Sequence, residues 1–369
     1  MPHAERLVFD LRRGLPVVLR DAAGETAWLA APVEGMNAGA LADAAVKSGG
    51  APVQVLSFHR LASLGLACEG IGARLSFASL PEAEDVLRHA LARDARLPLG
   101  LAPLNEAERA ALLLMRRAQL IPSALVFAVA PTRRDAVARL CAEGELLAAP
   151  IAEAIALCES GPGRVDRVSE ARAPLAGLGD AHLVMFREEN GNREHVAVLL
   201  GKREDWPEDT PVRVHSACLT GDLFGSQRCD CGAQLRNSLR TIRELGGGAV
   251  LYLAQEGRGI GLANKLRAYC LQDDGLDTID ADQVIGFGKD ERDYRVAHKM
   301  LLALDIPRIE LLTNNPEKVR ALREAGIDVV RRRGLFGQLT DQNRNYLRTK
   351  ANRHGHLLEE LLAGAVLRR

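Results

Sequence analysis

The stretch RVHSACLTGDLFGSQRCDCGAQLR, Arg213 to Arg236, gathers three of the chain's seven cysteines. Cys218, Cys229 and Cys231 stand in a C-x10-C-x-C spacing, with His215 just upstream. Three soft thiolates so close in sequence suit a zinc ion. Three ligands rather than four leave one tetrahedral position open, which marks a catalytic zinc rather than a structural one. The spacing does not match the two paired clusters of a zinc finger. Cys68, Cys141, Cys158 and Cys270 read instead as small buried hydrophobes. A disulfide is disfavoured, because Cys229 and Cys231 are too close to bridge comfortably and an odd total fits a reducing compartment.

Other stretches offer grips for an anionic, planar ligand. The run AVLYLA (249–254) ends at Gln255-Glu256-Gly257-Arg258-Gly259-Ile260-Gly261. A carboxylate only accepts, so Glu256 can take two parallel hydrogen bonds from a guanine-type edge. Arg258 can hold a phosphate or carboxylate as a fork. Further on, Asn315 reads as an N-cap, Pro316 as the first helical residue and Gly326 as the stop. That helix start, with Thr313 and Lys318 beside it, points free N–H groups and a positive dipole end at a phosphate. Asp290 and Arg292, in the charged loop GFGKDERDYR, are close enough to converge on one substrate. Each stretch alone also fits a plain turn, crossover or solvated face.

The elements that must position these residues divide at Glu159–Gly163 (ESGPG), and 369 residues are long for one core. The expected fold is α/β (α+β) in two domains, residues 1–164 and 165–369. In the first, LPVVL (15–19) and AWLAA (27–31) read as strands around a turn at Asp21–Gly24. A capping box at Asn105–Glu108 opens a helix that runs to Pro122. Thr132 and Asp135 are expected to start another helix, and Leu146–Cys158 reads as helical. In the second, EHVAVLLG (194–201), PVRVHS (211–216), AVLYLA, IELLT (309–313) and IDVV read as strands, with a helix from about Leu262 to Gln272. The tail YLRTKANRHGHLLEELL reads as an amphipathic helix with His354 and His356 exposed and inert. His59, His89 and Cys68 are isolated and carry no chemistry.

Lys plus Arg balance Asp plus Glu, 48 against 48, which argues against a polyelectrolyte partner. Aromatics are only 4%, too few for a base-stacking platform, so no nucleic-acid partner is expected. The start has no signal-peptide core and no stretch approaches a membrane span, so a cytoplasmic protein without a membrane partner is expected.

HSACLTGD with CDCGAQL, QEGRGIGL, NKLRAYCLQD, GFGKDERDY and LLTNNPEK resemble, in order and spacing, the motifs of GTP cyclohydrolase II. The resemblance covers about residues 165–362 and implies a mixed sheet with flanking helices. The order of elements in residues 1–164 is similar to a 3,4-dihydroxy-2-butanone 4-phosphate synthase domain. That family's acidic loop after the first strand has no counterpart in DAAGE (21–25), and its other catalytic motifs are missing. A degenerate, non-catalytic domain is therefore implied.

By this resemblance Cys218, Cys229 and Cys231 hold one Zn²⁺ per subunit. Arg213, Val214, His215, Ser216, Ala217, Gln234, Glu256, Gly257, Arg258, Thr278, Thr313 and Lys318 contact GTP. Asp290 is the proton acceptor and Tyr269 is needed for full turnover. Arg292 is the family's proposed nucleophile, although a guanidinium that stays protonated suits a charge stabiliser better. Mg²⁺ is expected with the polyphosphate, and a homodimer is implied. The implied products are 2,5-diamino-6-ribosylamino-4(3H)-pyrimidinone 5′-phosphate, formate and pyrophosphate. Ala217 stands where the family commonly has Glu. That departure keeps open a paralogue that yields a formamidopyrimidine or takes another purine, and the degenerate first half keeps open a non-catalytic zinc- or nucleotide-binding regulator.

Overall fold

The β-branched and leucine-rich runs of the chain form two seven-stranded sheets, one in each of two units. The computed structural model describes residues 2–98, 100–191 and 193–337. The tail read as an amphipathic helix, with His354 and His356, lies outside the described residues. The first unit comprises Met1–Ser160 together with Ala263–Glu291, and the second comprises Gly161–Leu262 with the chain from Arg292 on. The change of unit at residue 160 falls inside the expected ESGPG punctuation. The return of residues 263–291 to the first unit has no signal in the sequence.

In the first unit the strands are β1 (Val17–Arg20), β2 (Ala27–Pro32), β3 (Val53–Ser57), β4 (Gly72–Ser76), β5 (Leu101–Pro103), β6 (Ser123–Ala128) and β7 (Ala148–Pro150). They lie in the order β5-β4-β3-β6-β2-β1-β7, antiparallel except for the β1–β7 pair. Leucine, valine and alanine cores cover both faces, one including Leu112, Leu114 and Met115 and the other Leu29, Leu125 and Phe127. The helix Glu106–Arg117 starts on the expected capping box, with Asn105 and Glu108 bonding each other's backbone.

Two local expectations are corrected. Leu146–Cys158 is not one helix: Ala148–Pro150 pairs in parallel with β1, and the helix is Ile151–Glu159. Pro150 cannot donate within a helix, so it closes an edge strand and opens the helix that follows. Thr132 caps nothing, because Pro131–Arg133 forms a 3-10 turn and the helix Arg134–Ala142 begins without a side-chain cap.

The second sheet holds β8 (Val165–Leu175), β9 (Gly179–Glu188), β10 (Glu194–Leu200), β11 (Thr210–Ser216), β12 (Gly248–Leu253), β13 (Arg308–Leu312) and β14 (Asp328–Arg333). Its order is β14-β13-β11-β12-β10-β9-β8. Strands β14, β13, β11 and β12 run parallel, whereas β10, β9 and β8 continue as an antiparallel meander. Val212, Val214, Leu251 and Leu253 enter the core on one face. Strand alternation sends Arg213, His215 and Tyr252 to the other. In a sheet with parallel strands, ligands bind at the carboxyl ends, which here are Ser216, Leu253 and Leu312.

Candidate functional site

The loop leaving β11 carries the thiols. Cys218 precedes a single helical turn, Leu219–Asp222, and Cys231 opens the helix Cys231–Glu244. Two glycines let these pieces touch. A Cβ on Gly232 would sit 2.2 Å from the Gly221 carbonyl oxygen, and one on Gly221 would sit 2.7 Å from Cys229 Sγ. The Sγ atoms of Cys218, Cys229 and Cys231 accordingly lie within 4.8 Å of one another, the first two 3.6 Å apart. Tetrahedral zinc with bonds of about 2.3 Å to sulfur needs sulfurs about 3.8 Å apart, so the donor set fits the ion. Crowding raises the Cys229 thiol to about 11, led by its hydrogen bond with Cys218. Three adjacent thiolates repel, and a divalent cation is what lets them coexist.

Asp222 organises this loop, and sequence reasoning missed it although it lies inside the quoted HSACLTGD motif. Its Oδ2 accepts from the Cys218 N–H at 2.9 Å and from the Tyr252 hydroxyl at 3.0 Å. Both its oxygens lie within 3.2 Å of His215 Nε2. Burial holds the His215 pKa below its ordinary value, so the ring is neutral and donates from Nε2. Its Nδ1 is then an acceptor, buried and without a partner among the described residues. Burial and the adjacent Asp222 carboxylate push the Tyr252 phenol upward, so it stays a donor.

Arg213 points from the same face of β11. It donates to the Leu312 carbonyl at 2.9 Å and to Gln234 Oε1 at 2.7 Å, and Gln234 in turn donates to Asp230. Burial lowers the Arg213 pKa to about 10, which leaves it charged at neutral pH. Among the described residues its Nε has no partner, and neither do Ser216 Oγ at the end of β11 or Gln255 Oε1 just past β12. Buried polar atoms are seldom left unpaired, so a group of them at strand ends points to a ligand.

Glu256, Gly257 and Arg258 lie in the 3-10 turn after β12. Gly257 and Arg258 both adopt the left-handed conformation, at φ 60° and 61°. A non-glycine residue held there costs ~1 kcal/mol, strain of the kind found at ligand clamps. Glu256 accepts from the Leu219 N–H at 2.6 Å and the Gly257 N–H at 3.0 Å, which ties this turn to the thiol loop. Ala217 contributes backbone, its N–H bonding the Leu253 carbonyl at 2.8 Å.

The third strand end has the anticipated geometry. Asn315 caps the helix Pro316–Glu324 by accepting from the Glu317 N–H, and Thr313 Oγ1 accepts from the Asn315 N–H. Lys318 is buried, with Nζ 2.7 Å from the Val214 carbonyl and 5.5 Å from the Tyr294 ring. The Arg292 guanidinium also lies over the Tyr294 ring, 5.4 Å from its centroid.

The second unit thus brings together the thiol triplet, Arg213, Val214, His215, Ser216, Ala217, Gln234, Glu256, Gly257, Arg258, Arg292, Thr313 and Lys318. Tyr269, Thr278 and Asp290 belong to the first unit. Tyr269 is half-buried in the helix Leu262–Asp273, Thr278 opens the helix Thr278–Ile285 behind its cap Asp277, and Asp290 is exposed.

The family model for GTP cyclohydrolase II matches residues 166–334. A GTP cyclohydrolase-2 of Xylella fastidiosa is 42% identical over 355 residues, 96% of this chain and 87% of the relative. A GTP cyclohydrolase-2 of Enterobacter sp. is 48% identical over 199 residues, which are 53% of this chain and 100% of that relative. Among solved structures, a two-domain 3,4-dihydroxy-2-butanone 4-phosphate synthase from A. baumannii aligns at 17% identity and a TM-score of 0.37, over 84% of this chain and 93% of that one. Among the described residues, no helix is long and apolar enough to cross a membrane.

Proposed function

The chain belongs to the GTP cyclohydrolase II family, and we propose that it converts GTP to 2,5-diamino-6-ribosylamino-4(3H)-pyrimidinone 5′-phosphate, formate and pyrophosphate, the entry reaction of riboflavin biosynthesis. The observation that carries the reading is the thiol triplet beside two buried cations, Arg213 and Lys318, at the carboxyl ends of parallel strands. Cys218, Cys229 and Cys231 would hold Zn²⁺, which supplies Lewis-acid character where the imidazole ring must be opened at C8.

The chain's own groups bind and orient the nucleotide. Glu256, a carboxylate that only accepts, suits the guanine N1–H and amino group. Lys318, Arg213 and Arg258 offset charge on the triphosphate, assisted by the helix start at Asn315 and by Mg²⁺ carried with the substrate. One water opens the ring, a second hydrolyses the resulting formamide, and a third cleaves the phosphoanhydride. Asp290 takes a proton, Arg292 stabilises charge on the transferring phosphoryl group, and Tyr269 supports completion of turnover. Residues 1–164 form a non-catalytic domain, residues 165–369 the catalytic one, and the active species is a cytoplasmic homodimer.

The test is the full chain with its zinc content measured, incubated with GTP and Mg²⁺. Formate and pyrophosphate should appear in equal amounts. Intact GTP after incubation with fully zinc-loaded protein refutes the reading. Ala217 supports one second reading, because no side-chain carboxylate stands between Ser216 and Cys218. A product retaining the formyl group, or preferred turnover of another purine nucleotide, would identify that variant by mass.

A further inference from the structure

The loop that carries Asp290 is held by the half of the chain that has no catalytic motif. Within the first unit, one Nη of Arg116 donates to both carboxylate oxygens of Glu291, at 2.9 and 2.6 Å. Glu291 Oε1 also accepts the Gly288 N–H at 2.9 Å, so one carboxylate pins the loop at two points. Arg116 stands on the last turn of the capped helix Glu106–Arg117, whose other face is buried in the core. It is therefore a rigid platform rather than a surface arm.

Further observations locate the same contact. Ser57 Oγ donates to the Gly286 carbonyl at 2.7 Å, and Arg60 donates to the Val284 carbonyl at 3.3 Å. A Cβ on Gly286 would lie 2.9 Å from Ser57 Oγ, and one on Gly288 would lie 3.0 Å from both His59 Nε2 and Glu291 Oε1. Phe287 between these glycines is fully buried. Earlier in the segment, Arg267 pairs with Glu34 at 2.7 Å and Asn264 donates to the Gln119 carbonyl at 2.9 Å.

We propose that Arg116 is a positioning residue for the reaction, acting through Glu291 to fix the 286–291 loop and with it Asp290. The proposal rests on the role given above to Asp290. It assigns residues 1–160 a task in turnover, although they supply no reacting group. An exposed surface ion pair contributes little, but one that sets the geometry of a proton acceptor acts on the rate, because small misplacements are costly there.

The test uses the full-length, zinc-loaded chain. Arg116→Ala and Glu291→Gln should each lower kcat for formate release about tenfold while KM for GTP changes by less than about twofold. Zinc content should stay at the wild-type value, and amides 286–291 should lose about tenfold in exchange protection. The reversed pair Arg116→Glu with Glu291→Arg remakes the ion pair but not the Gly288 bond, so it should recover only part of both losses. Wild-type kcat in Arg116→Ala overturns the proposal. So does a loss of kcat accompanied by equal deprotection of β3 and β6, since that reports general destabilisation. A wild-type chain that leaves GTP intact refutes the proposed function instead, and the exchange measurement still decides whether Arg116 holds the loop.

Discussion

The two sheets bury polar side chains to opposite ends. In the first unit, Arg60 is almost wholly enclosed and its guanidinium meets three carbonyls, those of His89, Ala92 and Val284. Gln54, Ser123 and His89 close a neighbouring network among themselves and the backbone. In the second unit, Arg213 is equally enclosed, yet its Nε, together with His215 Nδ1, Ser216 Oγ and Gln255 Oε1, has no partner among the described residues. All four stand on or just beyond two adjacent parallel strands. Asp21 Oδ1 and Arg74 Nε, the first unit's own unpaired buried atoms, are scattered. Satisfied buried groups specify a structure, whereas a cluster of unsatisfied ones reserves bonding capacity for something that arrives later.

Mutation can break this contrast. The largest effect is expected at the thiols: Cys229→Ser should lower both zinc content and formate release by at least about a hundredfold, read by metal analysis and product assay. Next, the two buried arginines should separate. Arg213→Met should raise KM for GTP roughly thirtyfold and cost less than about 1.5 kcal/mol of stability. Arg60→Met should destabilise by ~3 kcal/mol in denaturant unfolding, because three carbonyls lose their donor, with little change in KM. If Arg213→Met proves the more destabilising of the two, the contrast fails. Asp222→Asn should weaken zinc binding by roughly tenfold, measured by chelator competition, since one oxygen that fixes the Cys218 backbone becomes an amide group.

The smallest effect concerns pH. Burial holds the His89 pKa below its ordinary value of 6.5. The unfolded chain therefore binds this proton first as pH falls. Stability conferred by neutral His89 is complete above pH 6.5 and is lost as pH drops toward the folded value, by at most about 1.4 kcal/mol per pH unit. His89→Gln should flatten that slope in unfolding curves of the full chain.

Most strands of the second sheet were legible because parallel and central strands read as continuous apolar runs, as in AVLYLA and IELLT. The Asn105 and Asn315 caps were legible because capping depends on a few adjacent residues. Cys218, Cys229 and Cys231 were readable for the same reason, their chemistry being written at short spacing. Asp222 escaped because its role depends on partners from separate elements, His215 on β11 and Tyr252 on β12, the latter some thirty residues away. Ala148–Pro150 was misread because an edge strand of three residues has no period to detect. The clamp on Glu291 was invisible for the strongest reason: Arg116 lies 175 residues earlier, and nothing local distinguishes it from any helix-terminal arginine.

The return of Ala263–Glu291 to the first unit also bears on synthesis. When residue 160 leaves the ribosome, the surface that will receive Val284 and Phe287 has no cover. About 130 residues must follow before it does, a delay on the order of 10 s at ordinary elongation rates. During that interval β8 to β12 are made. The nascent chain must therefore keep an unfinished apolar surface from pairing with another copy, and its slowest productive step is expected to be completion of the unit that was begun first.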